Sequence, residues 1–207
     1  MKKLTKFQTD DLIQNTRMYK ESHSIYHWVD GWDRNEKMQN FLDLMHLPEL
    51  TGFPISGASC LDVGCGTGDL SLFLRKRGAR QYLGVDIYEE SLEKAQEKYP
   101  QEKFLNQDIL AKPLKQTFDY GFCSGTFTIK LSANNYDFLE AMLESLWPIT
   151  KVGIAFNILT DNDDDPDEDL FFYNAEKVMK MCKKVSRGHV KTVARDNLAQ
   201  SHFYIYR

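Results

Sequence analysis

The spacing of apolar positions divides the chain in two. Over residues 58–207, apolar runs of strand length alternate with segments of helical period. Strands are expected near 58–63, 81–86, 102–108, 118–123 and 149–157, and helices near 68–77, 89–99, 134–147 and 174–185. This alternation predicts an α/β fold: a doubly wound, mostly parallel sheet with right-handed crossovers and helices on both faces. The tail breaks the rhythm. His189–Arg195 and His202–Tyr206 are strand-like runs with no helix between them, so they should pair as an antiparallel hairpin.

Residues 1–57 read as a helical extension. Asp33-Arg34-Asn35-Glu36 has the spacing of a helix N-cap with a reciprocal partner. Met38, Phe41, Leu42 and Met45 then recur at i, i+3, i+4 and i+7, which predicts an amphipathic helix that stops before Pro48. An earlier helix is expected around 7–21. Between the two lies an aromatic stretch, Tyr26 to Trp32, without a clear period. Gly52, Pro54 and Gly57 mark the link into the first strand. The expected division is therefore 1–57 as an extension or lid and 58–207 as a ligand-binding domain.

Candidate chemistry gathers where the first strand ends, in Leu61-Asp62-Val63-Gly64-Cys65-Gly66-Thr67-Gly68-Asp69. Strand, glycine turn and helix start in succession form a cradle for a nucleotide-like ligand at a helix N-terminus. A dinucleotide turn wants G-x-G-x-x-G. Here the third glycine comes one residue early, at Gly68, and the place it should hold is Asp69. Asp62 and Asp69 would repel a pyrophosphate and suit a ligand without phosphates, one carrying positive charge.

The stretch Leu61 to Ser71 resembles the first motif of the class I S-adenosylmethionine-dependent methyltransferases, a Rossmann-like family, here of a small bacterial type. Later pieces arrive in order. Tyr82-Leu83-Gly84-Val85-Asp86 is a second strand ending in an acid, placed 18 residues after Gly68, and Phe104-Leu105-Asn106-Gln107-Asp108 is a third. The resemblance implies a seven-stranded sheet of order 3-2-1-4-5-7-6 with the last strand antiparallel. It implies S-adenosylmethionine as cofactor, held by Asp62, Gly64, Cys65, Gly66, Gly68, Asp86, Ile87, Asp108, Ile109 and Ser124. In that pattern Asp86 takes the ribose hydroxyls and Ile87 covers the adenine. Asp108 holds the adenine amino group, with Ile109 beside the ring. Gly64 and Gly66 lie under the methionine part, and Asp62 orders the turn and the amino group. For Asp86 the competing role is a helix cap, since Tyr88-Glu89-Glu90 opens a helix.

Composition narrows the class without naming an acceptor. Hydrophobic content of 42% and charged content of 27% are ordinary for a soluble globular chain of 207 residues. No apolar run reaches bilayer length, and no signal-peptide core follows the basic N-terminus, so a cytoplasmic protein is expected. Cys60, Cys65, Cys123 and Cys182 are expected to be reduced and buried. The net charge of −4 hides seven acids between Asp161 and Asp169, without which the remainder carries about +3. That near-neutral body argues against a nucleic-acid partner.

Methyl transfer asks mainly for alignment, so no catalytic residue is assigned. Nothing like Asn-Pro-Pro-Tyr follows the fourth strand; Ser124-Gly125-Thr126-Phe127-Thr128-Ile129-Lys130 stands there instead, with Lys130 read as a solvated lysine. His23 and His27 lack a third metal ligand, and the acidic run lacks the glycine of a calcium loop, so no metal is expected. The leading function is methyl transfer to a small-molecule or saccharide-type acceptor. The alternatives are a protein or RNA methyltransferase and a non-catalytic cofactor-binding protein. Tyr26, Trp28 and Trp32, or the acidic loop, are candidates for the roof of the site.

Overall fold

The computed structural model describes residues 13–14, 17–18, 34–160, 168–195 and 199–207. Its centre is one mixed sheet. The strands are β1 (Ser59–Val63), β2 (Gln81–Asp86), β3 (Lys103–Asn106), β4 (Phe118–Cys123), β5 (Thr150–Thr160), β6 (Phe172–Tyr173), β7 (His189–Arg195) and β8 (Gln200–Tyr206). Their order is β3-β2-β1-β4-β5-β8-β7, with β6 beside the end of β5. Strands β1 to β5 are mutually parallel, and β8 runs antiparallel to both β5 and β7, as the unbroken tail pattern requires. Strand β6 was not anticipated: two residues leave no periodic signal. Strand β5 also continues three residues beyond Asn157, carried by Ile158 and Leu159.

Two apolar layers close on the sheet. On one face, α5 (Asn135–Leu146) and α6 (Ala175–Ser186) bring Phe138, Leu139, Leu143 and Val178 onto Leu61, Val63, Ile154, Phe156 and Phe203. Helix α5 starts cleanly because the Asn134 side chain accepts the Tyr136 N–H. On the other face, α1 (Arg34–Leu44), α2 (His46–Thr51) and α3 (Asp69–Lys76) bring Phe41, Leu44, Leu47 and Phe73 onto Cys60, Tyr82, Tyr120, Phe122 and Tyr204. Helix α4 (Glu89–Lys98) follows β2 and packs on β3. The end of the extension is thus built into the core, and 34–51 is not a separate layer.

The expected stripe on α1 is corrected. Phe41 and Met45 are buried, but Met38 and Leu42 are 47% and 41% exposed. The buried face instead includes Asn40 and Asp43, polar residues that a hydropathy pattern assigns to solvent. That helix does stop before Pro48, at Leu44, but the chain turns helical again at once. The path breaks at Met45 and restarts as α2, where Pro48 occupies the first turn, a place in which its missing N–H costs nothing. The proposed Asp33 cap, the helix around 7–21 beyond residues 13–14 and 17–18, His23, His27, Tyr26, Trp28, Trp32 and Asp161 to Asp167 lie outside the described residues.

All four cysteines are free, and Cys60, Cys123 and Cys182 are buried. Burial pushes the Cys60 and Cys182 thiols up to about 12, so they stay protonated and inert.

Candidate functional site

The carboxyl ends of the parallel strands meet in one row. β1 pairs Val63 with Val85, β4 pairs Cys123 with Phe156, and β5 pairs Asn157 with His202. One residue past the first two pairs, the row reads Asp86, Gly64, Ser124, Asn157, His202. The strand order reverses between β1 and β4, which is where ligands sit in open α/β sheets.

The glycine turn is shaped by contacts that leave no room for side chains. Gly64 has φ +70°, and a Cβ there would meet Thr126 Oγ1 at 2.7 Å. Thr126 itself donates to the Val63 carbonyl at 2.7 Å, clamping the loop after β4 against the turn. Gly68 has φ +77°, and a Cβ there would meet Phe104 Cζ at 2.6 Å. Gly66 differs: nothing lies within 4 Å of the Cβ it lacks. Its open side is where a ligand can approach the backbone. The Cys65 sulfur lies against Gly84 under the turn, so this residue offers its backbone rather than its thiol.

Asp86 fastens the turn to the second strand. Its Oδ2 accepts the Gly66 N–H at 2.8 Å and its Oδ1 accepts the Tyr88 N–H at 2.9 Å. Helix α4 has Tyr88 as N-cap with no side-chain cap bond, so Asp86 braces the loop before the helix rather than capping it. A carboxylate oxygen accepts more than one bond, so each Asp86 oxygen retains capacity for a ligand hydroxyl. Ile87 is half-buried beside it. Asp108 Oδ1 accepts the Leu110 N–H at 2.8 Å, an Asx turn that fixes the loop after β3. Ile109 is buried in the core cluster with Val63 and Val85.

Asp62 and Asp69, grouped in the sequence by charge, part company. Asp69 does not face the turn as a free acid. It opens α3 and holds Lys37 of α1 at 2.9 Å, Lys98 at 2.5 Å and the Tyr99 hydroxyl at 2.7 Å. Burial opposes its charge, but those bonds outweigh it and hold the carboxyl at about 2. Asp69 is therefore one tie between the extension and the domain. Asp62 is 2% exposed, accepts the Tyr82 hydroxyl at 2.7 Å, and has no ion-pair partner among the described residues. Burial, with Asp86 and Asp69 nearby, pushes it up to about 7.

That shift has a sign. A carboxyl raised in the fold contributes stability at low pH and loses it as pH rises through about 7. Asp62→Asn keeps an acceptor for Tyr82 and removes the titration. The variant should melt higher than the parent at pH 8 and lose that advantage toward pH 5. A difference in melting temperature that does not vary with pH contradicts the assignment.

The segment after the acidic run returns along the loop after β4. Lys130 N–H donates to the Asp169 carbonyl and Phe171 N–H to the Thr128 carbonyl, both at 2.8 Å, and Ile129 bridges Leu170. Lys130 is exposed, as expected. From the other side, Arg17 hydrogen bonds to the Tyr88 hydroxyl, two residues beyond Asp86. Among the described residues no cluster of His, Cys, Asp or Glu is arranged to hold a metal ion.

Residues 60–148 match the family model described as a methyltransferase domain. This stretch of the chain is similar to a methyltransferase domain. The chain is 34% identical over 108 residues to the malonyl-[acyl-carrier protein] O-methyltransferase of Pectobacterium atrosepticum, covering 51% of this chain and 40% of that protein. It is 38% identical over 86 residues to the 2-phytyl-1,4-naphtoquinone methyltransferase of Thermosynechococcus vestitus, covering 39% and 35%. The chain thus spans well under half the length of these curated relatives. Among solved structures, the magnesium protoporphyrin IX methyltransferase of Synechocystis PCC 6803 with bound S-adenosylhomocysteine superposes with a TM-score of 0.70 at 17% identity, over 96% of this chain and 98% of that one. At that identity the likeness shows the fold alone. The domain match covers the glycine turn, Asp86, Asp108 and Ser124 together.

No described helix is long and apolar enough to cross a membrane. Sequence reasoning missed the buried polar residues on the far end of the row, His202 above all, because they lie in no motif.

Proposed function

We propose that the chain binds S-adenosylmethionine across the carboxyl edge and transfers its methyl group to a small-molecule acceptor. The observation that carries this is the cradle at Gly66: an open backbone position, tied by its N–H to an acid with acceptor capacity to spare. Gly64 and Gly66 would underlie the methionine part, Asp86 the ribose, and the Asp108 loop the adenine. Ser124 would form the wall toward the acceptor. The bound cofactor supplies a methyl group already activated by its sulfonium. What remains for the chain is alignment and exclusion of water, which together account for roughly 7–11 kcal/mol of barrier in well-oriented reactions. Asp62 would balance the cofactor's cationic amino group, which explains why a buried carboxyl is kept without a cation of its own.

We infer that the part of the extension before α1 covers the site, since α1 and α2 belong to the core; the interaction of Arg17 with the Tyr88 hydroxyl, two residues beyond Asp86, supports this. A macromolecular acceptor is the second reading. It is supported by 49% identity over 41 residues to the ribosomal protein L11 methyltransferase of Thermotoga petrophila. Incubation with methyl-labelled S-adenosylmethionine separates the two. Label should appear in a panel of phenols, alcohols and amines and not in ribosomal protein or RNA. Label confined to ribosomal protein overturns the small-molecule reading.

A further inference from the structure

Helix α1 packs on β5 and β8 and buries polar side chains there that no part of the cofactor reading uses. Asn40 is 1% exposed, and both polar atoms of its side chain lack a hydrogen-bond partner. His202 is fully buried, and neither ring nitrogen has one. Buried polar groups in folded proteins are paired, and leaving them unpaired is costly, so such groups call for a ligand or ordered water. His202 sits beside Asn157 across β5 and β8. Asn157 in turn accepts the Gly125 N–H at 2.8 Å and donates to Gln200 Oε1 at 3.4 Å. The patch therefore continues the row Asp86, Gly64, Ser124. With strands about 4.8 Å apart, His202 lies about 10 Å from Ser124, the reach of a small molecule.

We propose that Asn40, Asn157, Gln200 and His202 form the acceptor pocket, and that it takes a neutral acceptor bearing a hydroxyl, amine or amide. This rests on the cofactor reading for the direction from which the methyl group arrives. The chemistry of the patch favours a neutral ligand. Asp43 places a carboxylate oxygen 3.8 Å from His202 Nε2, and Arg195 is engaged by that carboxylate, one of its nitrogens at 2.6 Å. Burial outweighs Asp43 and, with Arg195 and His46 opposing a further positive charge, holds the ring neutral down to about pH 4. A neutral imidazole with one N–H turned toward Asp43 leaves Nδ1 as an acceptor for a ligand O–H or N–H. The amide of Asn40 both donates and accepts. An anionic ligand would meet the Asp43 carboxylate with no cation left to receive it. Helix α1 closes the patch from solvent and is tied down by polar contacts: Lys37 to Asp69, Asp43 to Arg195, and the Tyr204 hydroxyl to the Asp43 carbonyl at 2.9 Å.

The test uses the full chain with phenol, benzyl alcohol and benzamide as neutral probes and benzoate as the anionic one, followed by ligand-observed NMR with and without S-adenosylhomocysteine. The neutral probes should bind and benzoate should not. Asn40→Leu and His202→Phe should each weaken neutral probes by roughly three- to tenfold, the effect of losing one hydrogen bond. Both should melt no lower than the parent, since each removes an unpaired polar group. Gln200→Leu serves where His202→Phe does not fold. Neutral probes that bind equally to parent and variants, or that fail to bind at all, overturn the proposal. Loss of S-adenosylhomocysteine binding alone counts against the cofactor reading and leaves the pocket to be judged on the probes.

Discussion

Gly68→Ala should destabilise the protein by about 2–5 kcal/mol. Two independent costs add. At φ +77° a side chain sits in the left-handed region, at about 1–2 kcal/mol. The new Cβ would also stand 2.6 Å from Phe104 Cζ and 3.2 Å from Ala95 Cβ, and overpacking of this kind costs about 1–3 kcal/mol. Phe104 cannot retreat freely, because its ring packs edge-on against Tyr82 at 5.9 Å. Gly66→Ala is the matched comparison. It bears the conformational cost at φ +51° but meets nothing within 4 Å. It should lose only about 1–2 kcal/mol of stability while weakening cofactor binding, because its methyl group would occupy the open face of the turn. Denaturant unfolding of both variants decides it. Equal losses would mean that Phe104 does not limit the turn.

Asp86→Ala should weaken binding of S-adenosylhomocysteine by about 1.5–3 kcal/mol, roughly 10- to 150-fold, through lost bonds to a charged acceptor. The effect has two sources: the ribose hydroxyls lose their acceptor, and the Gly66 and Tyr88 N–H groups lose theirs, so the turn loosens. Asp86→Asn should recover only part of the loss, since its amide has one oxygen for two backbone donors. Affinity unchanged in Asp86→Ala would reduce this residue to a loop brace.

The sheet and the cofactor edge were legible because their determinants are local. Glycine spacing and an acid closing each of two short strands mark the position of the turn, and a tail without a helix marks the terminal hairpin; the strand order is what the family resemblance implies. What was not legible depends on distant partners. Asn40 and Asp43 look like solvent positions on an amphipathic helix; Arg195, 152 residues away, and Tyr204 make the burial of Asp43 tolerable, while the Asn40 side chain has no such partner among the described residues. His202 is hidden among Ser201, Phe203 and Tyr204, where alternation marks it as facing one side of the sheet but not what it will meet. In the sequence Asp69 counts with Asp62 as an acid that repels a pyrophosphate, yet Lys37 and Lys98 take up its charge from two other helices.

Calorimetric titration of the purified chain with S-adenosylhomocysteine and, separately, with NAD tests the central claim most directly. A glycine turn one residue short of the dinucleotide spacing, with the buried Asp62 beneath it, predicts a dissociation constant for S-adenosylhomocysteine near micromolar or tighter, about −8 kcal/mol, and no heat with NAD. Binding of NAD without binding of S-adenosylhomocysteine would contradict it.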